Sequence, residues 1–209
     1  MLWKDDDWLG SYYELAMEVS THADDQRLAR TASAVFGSPC IRGPWRDRGR
    51  MEGEPEGLNV TQADRVPFGY GSLDVPGLGL VGVVFAVVRE ASGSDWFDVC
   101  VPTGMLERVV RVDHPLSRAT NPWMGVVDDA LVQVAERVYA QVPFELGIIG
   151  EEVSGTASAG TVGLSEMRGS VYLLSPALCA RVGAEPLVRP LPSGLIRLGP
   201  LPYENSGAS

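Results

Sequence analysis

"GLGLVGVVFAVV", residues 77–88, decides the fold. Its first six residues have the glycine spacing of a dinucleotide-binding fingerprint, G-x-G-x-x-G. That motif works only where a strand precedes the glycines and a helix follows, because the helix N-terminus presents its free N–H groups to the pyrophosphate. Here the turn residues "LDVPG" precede, and the β-branched run "VVFAVV" follows, which favours an extended strand. Asp95 and Asp98 lie near the roughly 20-residue spacing of the ribose-binding acid, but only after a further turn at "EASGSD". The sequence therefore predicts a buried strand whose glycines permit a bulge or a close neighbour. No nucleotide or other cofactor is expected.

Working outward, strands are predicted over about 66–74, 78–90 and 95–102, with "DVPG" and "EASGSD" as turns. Near the start, "YYELAMEV" (12–19) alternates Tyr13, Leu15, Met17 and Val19 against Glu14 and Glu18, which reads as a strand, although Tyr12, Leu15, Ala16 and Val19 would also suit a helix. A helix follows, with Thr21 as its cap, Leu28, Ala32, Val35 and Phe36 at helical spacing, and Gly37 as its stop. Residues 38–62 lack periodicity and read as a long exposed loop, with four arginines around Trp45.

A short helix is expected at 104–110. A longer one opens with Asn121 as cap and Pro122 in its first turn and ends before Pro143. Trp123, Val127, Leu131, Val134 and Val138 form its apolar stripe, with Asp128 and Asp129 on a wet face. Strands at 144–155 and 170–174 come next, then a helix opened by Ser175 and Pro176 and closed by Gly183. Residues 186–209 read as a proline-rich extended arm with an edge strand at 195–198 and a frayed end beyond Tyr203. The expected fold is α+β: one domain over 1–185 with an antiparallel or mixed sheet packed against two or three helices, followed by the arm.

The 209 residues carry a net charge of −10, spread along the chain rather than confined to a tail. A diffusely acidic surface repels phosphate backbones and attracts basic proteins, so nucleic acid is not an expected partner. The longest apolar run is too short to span a bilayer, and the acidic start "MLWKDDDWLG" lacks the apolar core of a signal peptide. Three scattered cysteines, Cys40, Cys100 and Cys179, give neither a disulfide framework nor a zinc site, and no metal is expected. These features together point to the cytoplasm.

Assembled catalytic motifs are missing from the sequence. There is no G-x-S-x-G elbow and no phosphate loop, since Lys4 is the sole lysine. The two histidines, His22 and His114, read as surface residues. Glu151 and Glu152 are the carboxylates of interest. If the alternation of Phe144, Leu146 and Ile148 continues, Glu152 lies on a buried face; a bulge at Gly150 places Glu151 there instead; a strand ending at Gly150 leaves both in water.

"SDWFDVCVPTGMLERV" (94–109) and "VPFELGIIGEEVSG" (142–155), with "YYELAMEVS" and "GPW", resemble segments of uncharacterised bacterial proteins of similar length. The resemblance implies no activity, and it singles out Glu152 and Gly155 as positions to test. The leading functional expectation is a non-enzymatic acidic module that binds a basic protein, of the inhibitor or immunity type, with Glu14, Glu18, Asp128, Asp129 and Trp45 as binding residues. The alternatives are a small hydrolase or acid–base enzyme using Glu151 or Glu152 with His114 or an arginine, and a homo-oligomer or subunit of a larger assembly.

Overall fold

The computed structural model describes residues 3–58, 69–89, 93–184 and 187–200. It is an α+β domain built on one antiparallel sheet of nine strands in the order β2-β3-β4-β5-β1-β6-β7-β9-β8. The strands are β1 (Tyr12–Ser20), β2 (Ile41–Trp45), β3 (Gly69–Val75), β4 (Gly79–Arg89), β5 (Asp95–Pro102), β6 (Leu146–Glu151), β7 (Val171–Leu174), β8 (Val188–Pro190) and β9 (Ile196–Leu198). The helices are α1 (Asp25–Phe36), α2 (Thr103–Glu107), α3 (Met124–Tyr139) and α4 (Pro176–Val182). No described helix is long and apolar enough to cross a membrane.

The decisive stretch is extended: Val83–Val88 lie within β4, and β4 pairs on both sides, with β3 and with β5. No helix N-terminus follows the glycines, so the phosphate reading fails on geometry. Gly77 in the β3–β4 turn and Gly79 at the start of β4 take φ of +83° and +90°, which a side chain would disfavour. Gly82 serves a different purpose. A Cβ there would stand 2.8 Å from Trp8 Cη2 and from Met105 Cε, so its absence lets these two side chains settle on the sheet.

Helices α1 and α3 cover one face. Tyr13, Leu15 and Met17 of β1, Phe85 of β4 and Phe97 of β5 point toward them, and the expected α3 stripe from Trp123 to Val138 is buried in the same core. On the opposite face α4 and the 153–167 segment pack over β6, β7 and β9, with Ile148, Val162, Met167 and Leu178 in a second core. Burying both faces needs apolar residues at successive positions, which explains why β4 and β5 read as near-continuous apolar runs.

Four local expectations need correction. Asp24, not Thr21, caps α1, its carboxylate accepting from Arg27 N at 2.8 Å. Asn121 is buried but caps nothing: its Oδ1 accepts from Asp113 N and Trp123 Nε1, and its Nδ2 donates to Asp113 O, which ties down the loop before α3. The segment read as a loop over 38–62 contains β2, an edge strand in which Pro44, lacking an N–H, is tolerated. The strand expected at 195–198 is present as β9 but is not the edge, since β8 pairs outside it and the hairpin continues the sheet through β7. The frayed end beyond Tyr203 and the domain boundary at 185/186 lie outside the described residues.

Candidate functional site: an acidic cleft on the open centre of the sheet

Side chains alternate along a strand, so the residues between the core positions of β1, β4 and β5 emerge on the face without α1 and α3. Trp8, Met105 and Tyr70 close one side of that face, and the 153–167 segment closes the other. Between them is a cleft of about 320 Å³. Val84, Ala86 and Val88 of β4 form an apolar wall. Glu14, Asp98 and Cys100 supply a polar floor, with Tyr12, Glu152 and Ser154 at the rim.

The floor is acidic and dry. Glu14 is 4% exposed and Asp98 2% exposed. Register sets Glu14 opposite Cys100 and Ala16 opposite Asp98, so the two carboxylates are diagonal neighbours on one face. Ser154 joins them: its N–H donates to Glu14 Oε1 at 2.8 Å, and its hydroxyl donates to Asp98 Oδ2 at 2.9 Å. Cys100 Sγ donates to Glu14 Oε2 at 3.3 Å. The remaining atom, Asp98 Oδ1, is buried without a hydrogen-bond partner. An unmet buried carboxylate oxygen is costly in a folded chain.

Burial of this kind disfavours ionisation. It raises Asp98 to about 8, with the neighbouring Glu14 charge adding to the effect and the Ser154 hydroxyl opposing it. Burial also raises Glu14, against the hydrogen bonds from Ser154 and Cys100. The Cys100 thiol is pushed well up, by burial first and then by Glu14, so it stays protonated. Both carboxyls of the floor are thus shifted toward their protonated forms.

The residues singled out from sequence divide unevenly over this geometry. Glu14 is in the cleft floor, not in water. Glu18 is also buried, accepting from Ser94 Oγ and Ala159 N beneath the 153–167 segment. The alternation on β1 is as expected, and its glutamate face is covered as well. Glu151 and Glu152 are both exposed, which is the alternative that leaves both in water, although the strand runs on to Glu151. Glu152 breaks the alternation with φ of +50°, and it is strapped to Tyr12: its N–H donates to Tyr12 O, and its Oε1 accepts from Tyr12 N at 2.8 Å. A glutamate held in the left-handed region at a cleft rim carries local strain. Glu151 accepts from Ser11 Oγ at 2.7 Å, outside the cleft lining.

Asp128 is fully buried rather than on a wet face. Tyr13 Oη donates to its Oδ1 at 2.6 Å, and Arg118 Nη2 stands 2.6 Å from its Oδ2. Asp129 is exposed as expected and pairs with Arg197 of β9 at 2.6 Å. Trp45 is buried, its indole N–H donating to Gly53 O and Glu54 O. His22 and His114 are exposed, and neither lines the cleft.

The sequence alone does not single out Asp98, Cys100 and Ser154 as one site; Asp98 enters it only as a candidate ribose-binding acid. The signal is present in "DWFDVCVP": an aspartate at an inward position of a strand too apolar to have a solvent face. Among the described residues no group of three or more His, Cys, Asp or Glu side chains is placed to hold a metal ion. Compared with protein-family models, with curated proteins and with solved structures, the chain gives no match in any of the three.

Proposed function

We propose that the protein is a non-enzymatic acidic module that binds a basic protein partner and receives a cationic side chain of that partner in the cleft. The observation that carries this reading is Asp98 Oδ1, a buried carboxylate oxygen with no partner, beside Glu14 and against an aliphatic wall. A positively charged group on an apolar stem supplies both what the floor lacks and what the wall covers. The net charge of −10 supports the same reading, because it steers a basic surface inward before contact.

Capture from the source cell extract, run in parallel with wild type and with the Asp98→Asn/Glu14→Gln double variant, tests the reading. A basic protein is expected on wild type, eluting as salt rises, and its retention falls at least about tenfold on the variant. Equal retention on both would remove the cleft from the interaction.

A second reading, acid–base catalysis, gains support from one observation: a carboxyl raised to about 8 is in the range useful for proton transfer near neutral pH. It centres on Asp98 with Glu14 rather than on Glu151 or Glu152. The two readings separate on Asp98→Asn, since a catalytic Asp98 loses turnover with ligand affinity kept within a few-fold.

A further inference from the structure

We propose that the cleft is specific for a primary ammonium group on an alkyl stem, and that this group enters in exchange for one proton given up by the Glu14–Asp98 pair. The inference deepens the reading above and rests on the cleft being the binding site, not on the ligand being a protein.

The acceptor inventory argues for ammonium over guanidinium. Both Glu14 oxygens are engaged, by Ser154 N–H and by Cys100 Sγ, and Asp98 Oδ2 is engaged by the Ser154 hydroxyl. Glu152 Oε1 holds Tyr12 N–H. Neither floor carboxylate, then, presents the two free oxygens that a planar guanidinium grips as a fork. A compact ammonium needs only one strong acceptor and the spare lone pairs around it, and Asp98 Oδ1 is that acceptor. Val84, Ala86 and Val88 suit a methylene stem, and about 320 Å³ is at the small end of ligand cavities, enough for one side chain or a short amine.

Proton exchange follows from what faces the pair. β1 contributes Tyr12 and Glu14, and β5 contributes Asp98 and Cys100. The segment after β6 adds Glu152 and Ser154, and β4 adds only apolar side chains. Among the described residues no Lys, Arg or His lines the cleft, so nothing in place neutralises two carboxylates, and one proton stays on the pair. An incoming ammonium provides the missing charge. The O–H bond of the Asp98 carboxyl breaks, the proton leaves to solvent, and two carboxylates then face one cation.

Isothermal titration tests this with n-butylamine, with a blocked Gly-Lys-Gly peptide and with its arginine counterpart, at pH 6, 7 and 8 in two buffers of different ionisation enthalpy. Butylamine or the lysine peptide is expected to gain affinity about tenfold per pH unit below pH 8, releasing about one proton. The arginine peptide binds at least about tenfold more weakly. Asp98→Asn, checked for an unchanged circular dichroism spectrum, binds more weakly and without pH dependence. Tighter binding of the peptide assigns a protein lysine as the source, and tighter binding of butylamine assigns a small amine. Affinity flat with pH in wild type, equal binding of the arginine peptide, or no amine binding at about millimolar concentration overturns the proposal. If amines fail while capture still depends on Asp98, this inference alone falls. If amines bind with proton release and no basic protein is retained, the protein-binding reading falls instead.

Discussion

Asp98→Asn is expected to raise the melting temperature by about 4–8 °C at pH 8.5 while leaving it nearly unchanged at pH 4, as read by thermal unfolding across that range. The substitution keeps the shape of the side chain and an acceptor for the Ser154 hydroxyl, and it removes the charge that burial penalises. The pH dependence has a definite sign. In the folded chain Asp98 holds its proton up to about pH 8, against a reference value of 3.8 when unfolded. Between those values the unfolded chain has released a proton that the folded chain keeps, so stability falls as pH rises, and it levels off above about 8. Glu14, raised in the same direction, adds to the slope. Each tenfold gain in proton affinity on folding corresponds to about 1.4 kcal/mol, and the exchanged amide recovers part of that total, about 1–3 kcal/mol net. On the proposed reading, the variant that stabilises the chain is the same one expected to lose the ligand. A wild-type curve rising between pH 4 and 8 would contradict this assignment.

The second large effect is expected at Asp128. Asp128→Ala strands the buried Tyr13 hydroxyl and leaves the Arg118 guanidinium without its carboxylate, at a cost of about 3 kcal/mol and a melting temperature lower by on the order of 10 °C. Asp129→Ala, one residue on, loses only a surface contact with Arg197 and costs less than about 1 kcal/mol. Denaturant unfolding of the two variants side by side checks the contrast. Equal, small effects would mean that the Tyr13–Asp128 bond contributes nothing to the fold. The contrast also governs how a binding screen is read, because any loss of partner by an Asp128 variant passes through stability before it reports on contact.

Much of the fold is legible because its strands carry strong local signals. The β-branched run of β4, the alternation of β1 and the apolar stripe of α3 each state a period, and each element stands where that period puts it. Sheet order is not legible, since β1 inserts between β5 and β6 and no local pattern encodes that crossing. β2 escapes prediction because "IRGPW" has neither alternation nor length, and β8 because its prolines argue against any strand except an edge.

The site is harder to see, for a related reason. Period two distinguishes the two faces of a strand, but it does not say whether the second face meets water or another layer. Glu14 and Glu18 alternate with core residues as a solvated face would, and only the 153–167 segment folding over them removes the water. Of the alternatives for Glu151 and Glu152, the one that leaves both in water holds, because the alternation of β6 stops at Glu152, where φ is +50°. Asp128 reads as part of a wet face because the Tyr13 hydroxyl that satisfies it comes from a distant strand, and the acceptors of the Trp45 indole, the Gly53 and Glu54 carbonyls, come from a turn that carries no pattern.

The most direct measurement is a carboxyl-carbon NMR titration of the Asp98 side chain, first in the free protein and then with butylamine saturating. A midpoint near pH 8 that moves down by about one pH unit or more when the amine binds is the expected result. A midpoint near the ordinary carboxylate value of 3.8 in the free protein, unmoved by the amine, would mean that the floor of the cleft holds no displaceable proton and receives no cation.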